Sequence, residues 1–124
     1  MVTRRPGSVV EVRKSLDPVP GFCRAALESA FIGVIRRRQL LAGKTHGEVD
    51  EALAKGGKLT PLAALAFFDD RERGGEVMAR LNKYGSWAGD AFKQCNEGAH
   101  KEYAGDLKML INDTEKLAER IQQL

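Results

Sequence analysis

The stretch that decides the fold class is Leu107–Leu124, with the sequence LKMLINDTEKLAERIQQL. Its apolar side chains, with one threonine among them, recur at the 3.6-residue period of an α-helix and therefore share one helical face. These residues are Leu107, Leu110, Ile111, Thr114, Leu117, Ala118, Ile121 and Leu124. The pattern predicts a long amphipathic helix whose apolar stripe runs to the last residue.

The same periodicity occurs near the other end of the chain. Apolar residues stand at i, i+4, i+7, i+8 and i+14, at Leu27, Phe31, Val34, Ile35 and Leu41. Gly43 follows them where a helix commonly ends on a left-handed glycine. Residues 22–42 are therefore predicted to form a second long helix.

Shorter helices are indicated between these two. Thr45 and Glu48 have the spacing of a capping box, and Thr60 followed by Pro61 is typical of an N-cap with proline at the first helical position. Ser86 is a suitable N-cap for a further helix that continues towards residue 100. No alternation of strands and helices is visible. We therefore predict an all-α fold, an antiparallel bundle of four or more helices with short connections.

Length and composition fit one domain. The chain has 124 residues, of which 43% are hydrophobic and 30% charged, as in globular proteins. Prolines and a glycine interrupt the first 20 residues, so we interpret 1–20 as an N-terminal extension or linker and 21–124 as the bundle. The sequence contains neither an apolar run long enough to span a membrane nor a secretory signal. A cytoplasmic protein with no membrane partner is expected, with Cys23 and Cys95 as reduced thiols.

Charge is distributed unevenly along the chain. Residues 1–44 contain nine Lys/Arg and three Asp/Glu, whereas the remaining 80 residues contain eleven and fourteen. The triplet Arg36, Arg37 and Arg38 is the centre of the basic half and a candidate nucleic-acid-binding site. An alternative is that these arginines only offset the dipole at the end of their helix.

A candidate catalytic site lies at Lys93, Asn96 and His100, which stand at i, i+3 and i+7 and would share one helical face. Metal-independent RNA cleavage needs one group to take the 2′-hydroxyl proton, another to protonate the leaving oxygen and a cation to neutralise the phosphorane. His100 is the candidate acid or base, Lys93 the phosphate-binding cation, and Asn96 the amide that orients the scissile group. The alternative is structural, with Asn96 and His100 hydrogen-bonded to Arg24 and Glu28 on the first long helix. No cofactor or metal motif is present, so none is expected.

Three segments carry a family resemblance: Phe22–Glu28, Arg36–Arg38 and Cys95–His100. Together they resemble a C-terminal helical region of bacterial SMC-like or AAA-type ATPases and the wider HEPN superfamily of helical bundles. The resemblance implies an RNase of a toxin–antitoxin, abortive-infection or phage-defence system, a homodimer, and an ATPase or antitoxin as partner. The HEPN motif has an arginine before its histidine, whereas this chain has Lys93.

Lysine lacks the planar fork that grips a phosphate in two places. A guanidinium from Arg24 on another helix is one replacement, which leaves His100, Asn96, Lys93, Arg24 and Glu28 as the catalytic candidates, with RNA as substrate. The other function class is a non-catalytic module. In that case the last helix offers Leu117 and Ile121 to a second copy, or the bundle binds nucleic acid without cleaving it.

Overall fold

The computed structural model describes residues 18–54, 58–98 and 106–124, and every regular element within these ranges is helical. The elements are α1 (Pro18–Leu41), α2 (His46–Ala54), α3 (Leu59–Phe68), a 3-10 helix (Arg71–Glu76), α4 (Val77–Asn82), α5 (Ser86–Gly98) and α6 (Leu107–Gln122). The predicted all-α class is confirmed. Most of the predicted N-terminal extension lies outside the described residues.

Helix α1 is the centre of the fold, because α2, α3, α5 and α6 all pack against it. Its predicted stripe is buried, with Leu27, Phe31, Val34 and Ile35 each at most 2% exposed. Leu41 was predicted to continue this stripe, but it is 82% exposed because α1 ends there and passes beyond its neighbours.

Phe31 joins three helices at the middle of this core. Its ring meets that of Phe67 on α3 edge-on, with centroids 5.6 Å apart, and that of Phe92 on α5 at 6.3 Å. Edge-to-face contacts of this kind favour aromatic pairs beyond the area that they bury. The position of α5, which carries the candidate catalytic residues, therefore depends on Phe31.

The start of α2 follows the predicted capping box. The Glu48 backbone N–H donates to Thr45 Oγ1 at 3.1 Å, and the Thr45 N–H donates to Glu48 Oε1 at 2.9 Å. Both bonds satisfy donors that a helix start leaves unpaired. The bonds from Thr45 also lower the pKa of the Glu48 carboxyl below its usual range, because they stabilise its charged form.

The predicted N-cap at Thr60 is wrong by two residues. Helix α3 begins at Leu59, and the N-cap is Lys58, which has an extended backbone and no side-chain capping bond. Leu59 is fully buried. Packing of its side chain in the core makes it part of the first turn of α3. Pro61 remains compatible with the helix because N–H groups of the first turn need no intrahelical partner.

Helix α6 buries four residues of its predicted stripe, whereas Ile111 and Leu124 are exposed and the helix ends at Gln122. Asp106 caps the helix by accepting from the Met109 N–H at 3.1 Å, and the side chains of Leu110, Thr114, Leu117 and Ile121 are buried. Helix α6 packs mainly against α1. The expectation that Leu117 and Ile121 face a second copy is therefore wrong, because both are 0% exposed within a single chain. Within the ranges described, no helix has the length and apolar character needed to cross a membrane.

Candidate functional site

A cavity of about 370 Å³ lies where α3, the 3-10 helix, α4 and α5 meet, and it opens to solvent on one side. It is lined by Thr60, Gly74, Val77, Met78, Phe92, Lys93, Asn96 and Glu97. Val77 and Phe92 are buried and form its apolar floor, and the polar groups come from the last turns of α5. Apolar walls with a few convergent polar groups are typical of small-ligand sites.

The polar rim of this cavity comes from one face of α5. Lys93, Asn96 and Glu97 stand at i, i+3 and i+4, so their side chains are neighbours on the helix surface. Lys93 is exposed, whereas Asn96 and Glu97 are half-buried. Within the described ranges, none of the three makes a side-chain hydrogen bond or an ion pair. The rim therefore presents a cation, an amide and a carboxylate whose bonding capacity is open to a ligand.

Small residues allow the surrounding elements to approach one another. A Cβ on Gly74 would lie 3.2 Å from Thr60 Cγ2, which shows how closely the 3-10 helix approaches α3. A Cβ on Gly89 would lie against Asn82 Oδ1 and 3.2 Å from Met78 Cε, at the contact between α4 and α5. The absence of a side chain at these two glycines therefore lets the elements around the cavity pack closely.

The structure thus places Lys93 and Asn96, both predicted site residues, in the lining of one cavity. His100 lies outside the described residues. Sequence reasoning missed Glu97, although its spacing of four residues from Lys93 was a usable signal. It also missed Thr60, Gly74, Val77 and Met78, which reach the cavity from other parts of the chain.

Arg24 and Glu28 form an ion pair on α1. Arg24 Nε donates to Glu28 Oε1 at 3.3 Å, and the Arg24 side chain is only 14% exposed. Neither residue lines the α5 cavity. The structure therefore does not place this pair beside Lys93 and Asn96 in that cavity.

The arginine triplet on α1 points in several directions. Arg36 Nη1 pairs with Asp50 Oδ1 of α2 at 2.8 Å, and Arg38 Nη1 donates to the Ala66 carbonyl at 2.6 Å. That carbonyl lies in the last turn of α3, where a helix leaves acceptors unpaired. Arg37 is exposed. Two of the three cations thus stabilise contacts with other helices, and nucleic-acid binding by the triplet stays a prediction.

The two cysteines are free thiols in the core. Cys95 Sγ lies 3.4 Å from Thr114 Oγ1, and burial raises the pKa of the Cys95 thiol to about 12. A thiol with that pKa is protonated at neutral pH and is a poor nucleophile. Among the described residues, no three His, Cys, Asp or Glu side chains are grouped so that they could hold a metal ion.

The fold and this cavity define an all-α bundle with a polar-rimmed cavity beside α5. No protein-family model, curated protein or solved structure matches the chain. The geometry of the α5 cavity is therefore the strongest guide to function.

Proposed function

We propose that the chain is a HEPN-like helical domain that works with an SMC-like or AAA-type ATPase in a defence or toxin–antitoxin type system, as a metal-independent RNase. The observation that supports this best is the joint position of Lys93 and Asn96 on the rim of the α5 cavity. His100 follows two residues after the end of α5 at Gly98. In sequence, His100 is therefore only four residues from Asn96 on the rim.

Each rim group has a role in this proposal. Lys93 neutralises charge on the phosphate as it develops in the transition state, and the Asn96 amide orients the phosphodiester by hydrogen bonding. His100 exchanges a proton with the 2′-hydroxyl or with the leaving oxygen. Glu97 supplies a carboxylate on the same rim that can act as the second proton-transfer group. The apolar floor at Val77 and Phe92 accommodates the face of a base or sugar.

The test is cleavage of labelled RNA by the purified protein in the presence of EDTA. General acid–base catalysis contributes about 10²- to 10⁴-fold, so His100→Ala is expected to lower the cleavage rate by that factor. Lys93→Met is expected to lower it by at least tenfold. Gln94→Ala is the matched control on α5, because Gln94 is exposed and does not line the cavity. Wild-type protein that leaves RNA intact, or a His100→Ala variant with full activity, would overturn the RNase proposal.

A second function, a non-catalytic interaction module, is favoured by a different surface. Phe22 is 73% exposed on α1, beside a mainly apolar groove of about 290 Å³ between α1 and α6. The groove is lined by Val19, Phe22, Cys23, Ala26, Ile111, Thr114 and Glu115. A projecting ring next to an apolar groove is self-complementary, which is what a two-fold contact between identical chains requires.

Charge on α6 fits the same partner, a second copy of this chain. Lys108 and Glu115 lie seven residues apart, with Ile111 between them on the same face, and all three are exposed. In an antiparallel pairing of two α6 helices, a two-fold axis near Ile111 places Lys108 of each copy opposite Glu115 of the other. Opposite charges that meet in this way fix the register of an interface.

Phe22→Ser combined with Ile111→Ser is expected to convert this dimer into a monomer, because the change removes the exposed ring and the apolar residue at the proposed axis. Light scattering coupled to size-exclusion chromatography measures the mass of each variant. Leu41→Ser is the control, since Leu41 is 82% exposed at the far end of α1 and should leave the dimer intact. A wild-type chain that is monomeric at about 100 μM would contradict this candidate.

A further inference from the structure

A surface on the side of α3, α4 and α6 carries aromatic rings in contact with cations. We call it the aromatic–cation strip and define it by six residues: Phe67, Arg80, Tyr84, Arg120, Lys116 and Trp87. Its three rings are half-buried, Lys116 and Arg120 are exposed, and Arg80 is half-buried. These residues come from five separate segments of the fold, so the strip exists only in the folded chain.

The distances show that the strip is continuous. Arg80 Cζ lies 4.8 Å from the centroid of the Phe67 ring and 4.9 Å from that of Tyr84, and Arg80 Nη2 donates to the Tyr84 hydroxyl at 3.3 Å. Arg120 Cζ lies 5.9 Å from the same Tyr84 ring. Lys116 stands one turn before Arg120 on α6, and its Nζ lies 4.2 Å from the Trp87 ring.

The three cations of the strip keep their charge available. In the part of the chain that is described, Arg80, Lys116 and Arg120 form no ion pair with a carboxylate. Arg36 and Arg73, by contrast, are paired with Asp50 and Glu76. Exposed acids do lie nearby on α6, at Glu115 and Glu119, so the local field is moderately rather than strongly positive.

Cation–π contacts alone are structural features that occur about once per 70–80 residues. What is unusual here is that three cations and three rings lie together along one surface. Proteins that hold single strands without reading sequence combine cations that follow the phosphates with aromatic or guanidinium planes on which bases stack.

We propose that the aromatic–cation strip binds single-stranded nucleic acid. The exposed side chains of Lys116 and Arg120 move from the rings to the phosphates, and bases take their place on the faces of Trp87 and Tyr84, with Arg80 as a third phosphate contact. This site is separate from the α5 cavity and does not depend on RNA cleavage there. Duplex DNA binds more weakly, because its bases are already stacked on one another and cannot reach the rings. The moderate local charge keeps the affinity modest and sensitive to salt.

Binding is measured with a fluorescein-labelled dT oligonucleotide of about 12 nucleotides, within the range of known single-strand sites. DNA is used because it lacks the 2′-hydroxyl, so the proposed RNase activity cannot affect the result. Trp87 is the one tryptophan of the chain, and stacking of a base on it should quench its fluorescence along the same isotherm as the anisotropy. Three phosphate contacts predict that the logarithm of the association constant falls with the logarithm of the salt concentration with a slope of about −2.

Lys116→Ala with Arg120→Ala is expected to weaken binding at least tenfold and to reduce the salt slope to about −0.7. The double variant Lys116→Arg/Arg120→Lys should bind like the wild type, because it keeps both positive charges. It therefore separates the loss of charge from a loss of folding. The matched control is Lys44→Ala with Lys58→Ala, which removes two exposed cations elsewhere and should change affinity less than twofold. Circular dichroism melts establish that each variant is folded.

Three results would overturn the proposal: no saturable binding, equal binding of a duplex, or an equal loss in the Lys44/Lys58 control. An equal loss would show a general charge effect instead of binding at the strip. His100→Ala should bind the DNA as the wild type does. Failure of the RNase proposal and failure of this one are therefore separate outcomes.

Discussion

Aspartate at both Leu117 and Ile121 is expected to unfold the bundle. Both side chains are 0% exposed and belong to the core between α1 and α6. A carboxylate buried there would have no cationic partner, and burying an unpaired charge costs several kcal/mol. Because domains of this kind are stable by only about 5–15 kcal/mol, two such changes exceed or exhaust the available stability.

Far-UV circular dichroism and urea unfolding measure this effect. The matched control is Met109→Asp with Ile111→Asp, because these side chains on the same helix are 57% and 38% exposed. The control should retain the helical signal and a cooperative transition. A soluble Leu117→Asp/Ile121→Asp monomer with a wild-type urea midpoint would show that the α6 stripe is not part of the core.

Helix α6 also shows what periodicity can and cannot predict. The 3.6-residue stripe correctly identified Leu110, Leu117 and Ile121 as one apolar face. Periodicity depends only on spacing within the helix, so a face covered by the chain's own α1 has the same pattern as a face covered by a partner. Choosing between them required the contacts of α6 with α1.

The two helix N-caps differ in how well the sequence predicted them, for a related reason. The bonds between Thr45 and Glu48 join residues three apart, so the local sequence was sufficient to predict them. The start of α3 was misplaced because burial of Leu59, a tertiary effect, outweighed the capping preference of Thr60. The bond from Arg38 to the Ala66 carbonyl spans 28 residues, and no local rule could indicate it.

The candidate sites also combine features set by local spacing with features set by long-range packing. Lys93 and Asn96 share a face of one helix, and that much was visible in their spacing. The walls of the cavity come from α3, the 3-10 helix and α4, which only the packing of the chain brings to α5. The aromatic–cation strip is still less local. Phe67 and Arg120 are far apart in sequence. Arg80 contacts both the Phe67 ring and the Tyr84 ring, and Arg120 contacts the Tyr84 ring.

Packing at Phe31 connects the core to the α5 cavity. Phe31 is 0% exposed and touches Phe92, and Phe92 lines the cavity beside Lys93. A void at Phe31 therefore removes support from the floor of the cavity as well as from the core. Interiors are packed densely enough that such a loss is not fully repaired by relaxation.

Phe31→Ala is accordingly expected to lower the free energy of unfolding by about 3–5 kcal/mol, which urea denaturation followed by circular dichroism measures. Phe22→Ala is the matched control, because the same atoms are removed from a side chain that is 73% exposed, and it should change the monomer's stability by less than about 0.5 kcal/mol. Similar losses for both variants would contradict the central position of Phe31. Phe31→Leu, which keeps much of the volume, should recover part of the loss, because the destabilisation comes from the cavity that alanine leaves.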